Sequence, residues 1–205
     1  MLLGHDPVAY FTVGKPTRGD PAIKSSLPNR TYYFASTANK RLFDAVPAKY
    51  EPQYGAFCSS GVSYGIKWNT DPTEWELVDG KLYIFGDVLG REAWKLDIPW
   101  SIKTGDEMWA RVKDSGWRTT SLYYWTFGKV PWYRTGREIR DMWVQKYPGR
   151  TWPKYDTGSF WNSFTKGPGW RAREGYGPQP VVGFVGEDPC PPACAGPVSE
   201  AFGPR

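Results

Sequence analysis

The run Trp75-Glu76-Leu77-Val78, Asp79-Gly80, Lys81-Leu82-Tyr83-Ile84-Phe85 constrains the fold more than any other stretch of the chain. Two segments rich in β-formers flank an Asp-Gly pair, and that pair accepts the positive φ angles of a type I′ turn. An antiparallel hairpin is therefore predicted here. Helix-like stretches surround it, which places the chain in the α+β class.

Thr31-Tyr32-Tyr33-Phe34-Ala35 reads as a further strand. The helix predicted over 36–46 starts at a Ser or Thr cap, turns Leu42, Phe43 and Val46 to one face, and stops at Pro47. Cys58 falls in a segment read as a strand. Helices are also predicted over Val88–Leu96 and over about Asp106–Lys113. The second is capped by Asp106, with Met108, Trp109 and Val112 facing inward.

Charge divides the chain. Residues 1–117 carry 14 Lys/Arg and 14 Asp/Glu, whereas 118–205 carry 12 against 7, so the whole excess of +5 lies in the second part. The pattern shifts at the same place, near Gly116-Trp117-Arg118. Beyond it Gly and Pro recur, and one helix is predicted, over about Arg137–Tyr147. Ile139, Met142, Trp143 and Tyr147 share its face, and Pro148-Gly149 ends it. The organisation expected is a small α+β domain over 1–117, followed by a long, largely irregular, Trp/Gly/Pro-rich basic extension over 118–205.

The first part resembles a known family. Gly4-His5-Asp6-Pro7-Val8-Ala9-Tyr10-Phe11 is similar to its opening motif. Tyr33-Phe34-Ala35-Ser36 with Asn39, Phe43 and Pro47-Ala48-Lys49-Tyr50 follows, then Pro52-Gln53-Tyr54-Gly55-Ala56-Phe57-Cys58, then Asp71-Pro72 with Trp75 and Val78-Asp79-Gly80-Lys81-Leu82-Tyr83. These blocks are collinear over roughly residues 4–115 and resemble the YHS-domain-like family of small α+β modules. Some relatives in that family are associated with metal handling. The cysteines of that metal-associated branch are replaced here by Ala35 and Asn39, and residues 118–205 have no counterpart.

Candidate chemistry is sparse. His5 is the single histidine, and the family's opening motif takes Tyr as readily as His at that place, so a packing role is expected. Cys58 and His5 are the candidate metal ligands, for copper or zinc, yet two ligands fall short of the three or four that a zinc site uses. Cys190 and Cys194 form a CxxxC that reads as a disulfide, a shared metal site or two free thiols. No Gly-rich phosphate loop occurs. Arg18-Gly19-Asp20 and the Asn29-Arg30-Thr31 sequon read as chance matches. No assembled acid, base and nucleophile set is legible, so a non-catalytic chain is expected.

A solvated linker has no use for large rings, and Trp and Arg dominate protein–protein contacts. Trp125, Trp132, Trp143, Trp152, Trp161, Trp170 and Arg171 are therefore expected at an interface with other subunits of a large assembly. The excess charge is too diffuse for nucleic acid, whereas contact with anionic headgroups is compatible with it. No apolar run is long enough for a membrane-spanning helix. The expected role is an accessory subunit of an organellar membrane complex, mitochondrial or chloroplast (thylakoid). A metal-handling or redox module is the alternative. The opening residues leave no room for a signal or transit peptide, unless the numbering begins at a processed end.

Overall fold

The computed structural model describes residues 2–128 and 130–153. It is an α+β fold of short helices around two antiparallel hairpins. In chain order these are α1 (Ala9–Thr12), β1 (Asp20–Leu27), β2 (Arg30–Phe34), α2 (Thr37–Ala45), α3 (Pro47–Tyr50), α4 (Ser59–Val62), β3 (Asp71–Val78), β4 (Lys81–Phe85), α5 (Val88–Lys95), α6 (Ile98–Val112), α7 (Trp117–Thr126) and α8 (Gly136–Lys146).

The predicted hairpin is β3–β4. Val78 pairs with Lys81, and Asp79 and Gly80 adopt φ of 50° and 70°, as a type I′ turn requires. A second hairpin, β1–β2, has the same plan. Its turn is Pro28-Asn29, with Asn29 at φ 63°.

The two hairpins belong to a tandem repeat. Each joins an eight-residue strand to a five-residue strand, and each has an irregularity in the same place, between Asp20 and Lys24 in one and between Asp71 and Trp75 in the other. Each hairpin leads into a helix capped by a side chain two residues after the strand. Ser36 accepts from the Asn39 N–H at the start of α2, and Asp87 accepts from the Gly90 N–H at the start of α5. Both helices then place one ring against their own hairpin. Phe43 packs on Tyr32 and Phe34, and Trp94 packs on Tyr83 and Phe85.

The correspondence runs upstream as well. Left-handed residues open each unit, Leu2, Leu3 and Gly4 in the first and Tyr54, Gly55 and Ala56 in the second. Asp6 of the first unit matches Cys58 of the second: the Asp6 N–H donates to Thr17 O at 2.8 Å, and the Cys58 N–H donates to Trp68 O at 3.0 Å. Asp6 is fully buried and accepts four hydrogen bonds, from the N–H groups of Val8, Ala9 and Ala35 and from Asn39 Nδ2. It thereby ties the opening segment to the end of β2 and the start of α2. The Cys58 thiol accepts from the backbone of Ser60, Gly61 and Gly86.

Each unit has its own core. Val8, Tyr32, Phe34, Phe43 and Tyr50 fill the first, and Tyr54, Cys58, Val62, Tyr83, Phe85 and Trp94 fill the second. Leu2 and Tyr10 of the first unit pack on Leu77, Leu82 and Ile84 of the second, and the Tyr10 hydroxyl donates to Pro72 O at 2.8 Å. Each ring buried in this way contributes about 2–3 kcal/mol of transfer free energy.

Several expectations are corrected. Cys58 precedes α4 and lies in no strand. On α2 only Phe43 is buried. Leu42 and Val46 are exposed, and Val46 lies past the helix end, where the chain leaves helical geometry. The helix expected from Asp106 begins eight residues earlier, at Ile98, capped by Asp97. Asp106 lies within it and accepts from the Tyr54 hydroxyl, which Gly105 admits: a Cβ there would lie 2.6 Å from that oxygen. Met108 and Val112 do face inward, fully buried. Within 118–153 there are two helices, where one was expected.

Candidate functional site

The extension begins by docking on the second repeat unit. A capping box starts α8: Thr135 accepts from the Glu138 N–H, and the Glu138 carboxylate accepts from the Thr135 N–H. Trp143, expected at an interface, is instead fully buried. Its Nε1–H donates to Glu92 Oε2 of α5 at 3.0 Å, and Lys146 Nζ donates to the carbonyls of Lys95 and Leu96, completing the end of α5. Trp152 stacks edge-on against Trp143 with centroids 5.3 Å apart. Trp132 donates its Nε1–H to Ser63 O at 2.9 Å. Trp143 and Trp132 hold the extension to the fold, and Trp152 packs on Trp143.

Glu92 belongs to a buried charge network. Arg91 faces Glu74 at 3.3 Å and Glu76 and Glu92 at 3.9 Å, and Lys95 faces Glu76 at 3.3 Å and Glu92 at 3.7 Å. Three carboxylates meet two cations. Burial pushes Glu74 up to about 7, against the pull of Arg91.

Helix α7 follows different rules. It starts after Gly116 with no side-chain cap. Hydrogen bonds hold it in place: the Lys67 N–H donates to Ser121 Oγ at 3.0 Å, and Thr120 Oγ1 donates to Ser115 Oγ at 2.6 Å. Lys67 Nζ also donates to the carbonyls of Lys113 and Ser115, which closes the end of α6 beneath α7. Tyr124 packs against Gly65, where a Cβ would lie 2.7 Å from the ring, and joins the cluster of Met108, Val112 and Val130.

The inner face of α7 is thus Thr120, Ser121 and Tyr124, whereas Leu122 and Tyr123 lie outside, 58% and 55% exposed. Phe127, just past its end, is 83% exposed. Trp117, also exposed, carries the Arg118 guanidinium 5.1 Å from its ring. A surface helix ordinarily turns its apolar residues inward and its hydroxyls out. Helix α7 buries Thr120 and Ser121 beside Tyr124 and leaves Leu122 and Tyr123 outside, and its outer face is the candidate site. Sequence reasoning missed Leu122, Tyr123 and Phe127. The available signal was a helix-length stretch with no inward apolar stripe.

The proposed metal ligands stand in different settings. His5 is buried, its Nδ1 lies 3.1 Å from Leu2 O, and it pairs in an isolated β-bridge with Arg18; burial lowers its pKa. Cys58 lies in the core of the second unit, where burial pushes its thiol up to about 11. Among the described residues no group of three or more His, Cys, Asp or Glu is placed to hold a metal ion. Trp161, Trp170, Arg171, Cys190 and Cys194 lie outside the described residues, as does the side chain of Trp125. Among the described residues no helix is long and apolar enough to cross a membrane. Compared with protein-family models, curated proteins and solved structures, the chain matches none.

Proposed function

We propose that this chain is a non-catalytic accessory subunit of a larger protein complex, with its YHS-like first part as a rigid anchor and α7 as the contact with a neighbouring subunit. One observation carries the reading: α7 buries Thr120 and Ser121 and exposes Leu122, Tyr123 and Phe127. Exposed apolar surface of this kind on one helix marks an interaction site, and aromatic residues are enriched where proteins meet. The fixed inner face of α7 supports this, since a preorganised helix loses little entropy on binding. The excess positive charge of 118–205 suits an assembly at an anionic membrane, in a mitochondrion or chloroplast.

The test is native electrophoresis of the source organism's membranes, gently solubilised, with the chain detected by antibody. It should migrate within a high-mass complex, and the double variant Leu122→Glu/Tyr123→Glu should migrate as the free chain. Migration of the wild type as a free chain would overturn the reading, as would retention of the folded variant in the complex.

A further inference from the structure

The two repeat units differ in how the helix after each hairpin is covered. Aligning the caps Ser36 and Asp87 also aligns the rings Phe43 and Trp94, so α2 can be compared with α5 position by position. Ala38, Leu42 and Ala45 of α2 then fall on Leu89, Ala93 and Leu96 of α5. Residues four and seven positions apart share a helix face, so both helices carry the same apolar stripe beside the buried ring.

On α5 the extension covers this side. Trp143 of α8 bonds Glu92, Lys146 bonds the carbonyls of Lys95 and Leu96, and Ile139 lines one small cavity together with Ala93. Glu92 is buried, and Ala93, Lys95 and Leu96 are half-buried. Their counterparts on α2 are Arg41, Leu42, Asp44 and Ala45, and all four are exposed. Leu42 is 45% exposed, and Val46, which stands where the second unit has Asp97, is 52% exposed. A helix face turned to water is ordinarily polar, yet the bare copy is the more apolar one, with Leu for Ala93 and Val for Asp97.

Charge sets the chemistry of the missing cover. Where α5 offers Glu92 as the acceptor for an indole N–H, α2 offers Arg41, which can only donate. Arg41 bonds the Thr37 carbonyl of its own helix and has no ion pair among the described residues. Asp44, the one acid on α2, is already held by Lys40 and Ser25. A second copy of the chain does not supply the acceptor from its exposed apolar helix, because α7 carries Arg118 and no acid.

We infer that the outer face of α2 is a docking site for an amphipathic, acidic helix of a partner protein, which lies on α2 as α8 lies on α5. Its apolar residues cover Leu42 and Val46, and a carboxylate meets Arg41. The site is on the first unit, apart from α7, and does not rest on the accessory-subunit reading.

The test turns the charge contact into a covalent one. Full-length chain carrying Arg41→Lys is expressed in the source organism, and a gentle lysate is treated with a water-soluble carbodiimide, which joins an amine to a touching carboxylate as an amide with loss of water. Cross-linked peptides are read by mass spectrometry. Residue 41 should be joined to an Asp or Glu of another protein, with apolar residues three or four positions to either side of that acid. Adding Leu42→Gln, at an exposed position that leaves the fold intact, should lower the yield at least about tenfold, the share of affinity that one covered leucine supplies. Joining of residue 41 only to acids of this chain would overturn the proposal, whether in the same molecule or a second copy. So would an acid outside such an apolar pattern, or a yield that Leu42→Gln leaves unchanged.

Discussion

Trp143 and Glu92, 51 residues apart in sequence, are joined by a 3.0 Å hydrogen bond from the indole N–H to the carboxylate. Both side chains are buried, and the contact is one of those that seat the extension on the second repeat unit. Trp143→Phe keeps a ring in place but leaves Glu92 Oε2 without its donor. A loss of about 1–3 kcal/mol is expected in urea unfolding, with no change in the slope of the transition. Trp143→Ala should cost about 3–5 kcal/mol, because a cavity is added.

Asp6 makes the corresponding connection in the first unit. Asp6→Ala would strand the N–H of Val8 in the interior and break the links to the N–H of Ala35 and the amide of Asn39 at its edge. A loss of at least about 3 kcal/mol is expected, read as a lowered midpoint of thermal unfolding.

Glu74 makes stability depend on pH. Its folded pKa, raised to about 7 by burial, lies above the ordinary carboxylate value, so between about pH 4.5 and 7 the folded state binds more protons than the unfolded state. Its contribution is therefore greatest in acid and is lost as pH rises through about 7. Besides burial, the charges that act on it are Arg91 on α5, which lowers its pKa, and Asp71 on β3, Asp87 ahead of α5 and Glu92 on α5, which raise it. Glu74→Gln does not titrate. Its stability relative to the wild type should rise by about 3 kcal/mol from pH 4.5 to 7 and stay level above that. Urea unfolding of both proteins across this range measures the difference.

Cys58 should behave as a core residue. With its thiol pushed up to about 11, roughly one molecule in a thousand carries the thiolate at pH 8, and the sulfur is also buried. Iodoacetamide at pH 8 should leave the peptide containing Cys58 unmodified in the native chain and alkylate it fully in 6 M guanidinium, as read by mass spectrometry.

The parts of the fold that were legible in the sequence rest on local chemistry. Asp79-Gly80 specifies its own turn, and Pro148-Gly149 with the stripe Ile139, Met142, Trp143 and Tyr147 specifies α8. Strand β1 was not legible. Asp20-Pro21-Ala22-Ile23-Lys24-Ser25-Ser26-Leu27 holds few β-formers, and pairing with β2 makes it a strand. Helix α7 is rich in Thr, Tyr and Trp, poor helix formers, and hydrogen bonds from Lys67 and Ser115 hold it from outside its own sequence. The repeat escaped notice because its two copies share geometry more than residues, as at Asp6 and Cys58. Trp143 was not legible as a covered ring for a related reason. Composition shows that rings must be covered, and only the fold shows which rings the chain covers itself.

Hydroxyl-radical footprinting of Tyr123 and Phe127 shows whether the outer face of α7 meets another protein. The rate of side-chain oxidation is compared between the purified chain and native membranes. Both residues should oxidise rapidly in the purified chain, where they are exposed, and be strongly protected in the membranes. Equal, rapid oxidation in both settings would contradict such a contact. So would protection already present in the purified chain, which would mean that this protein covers its own helix.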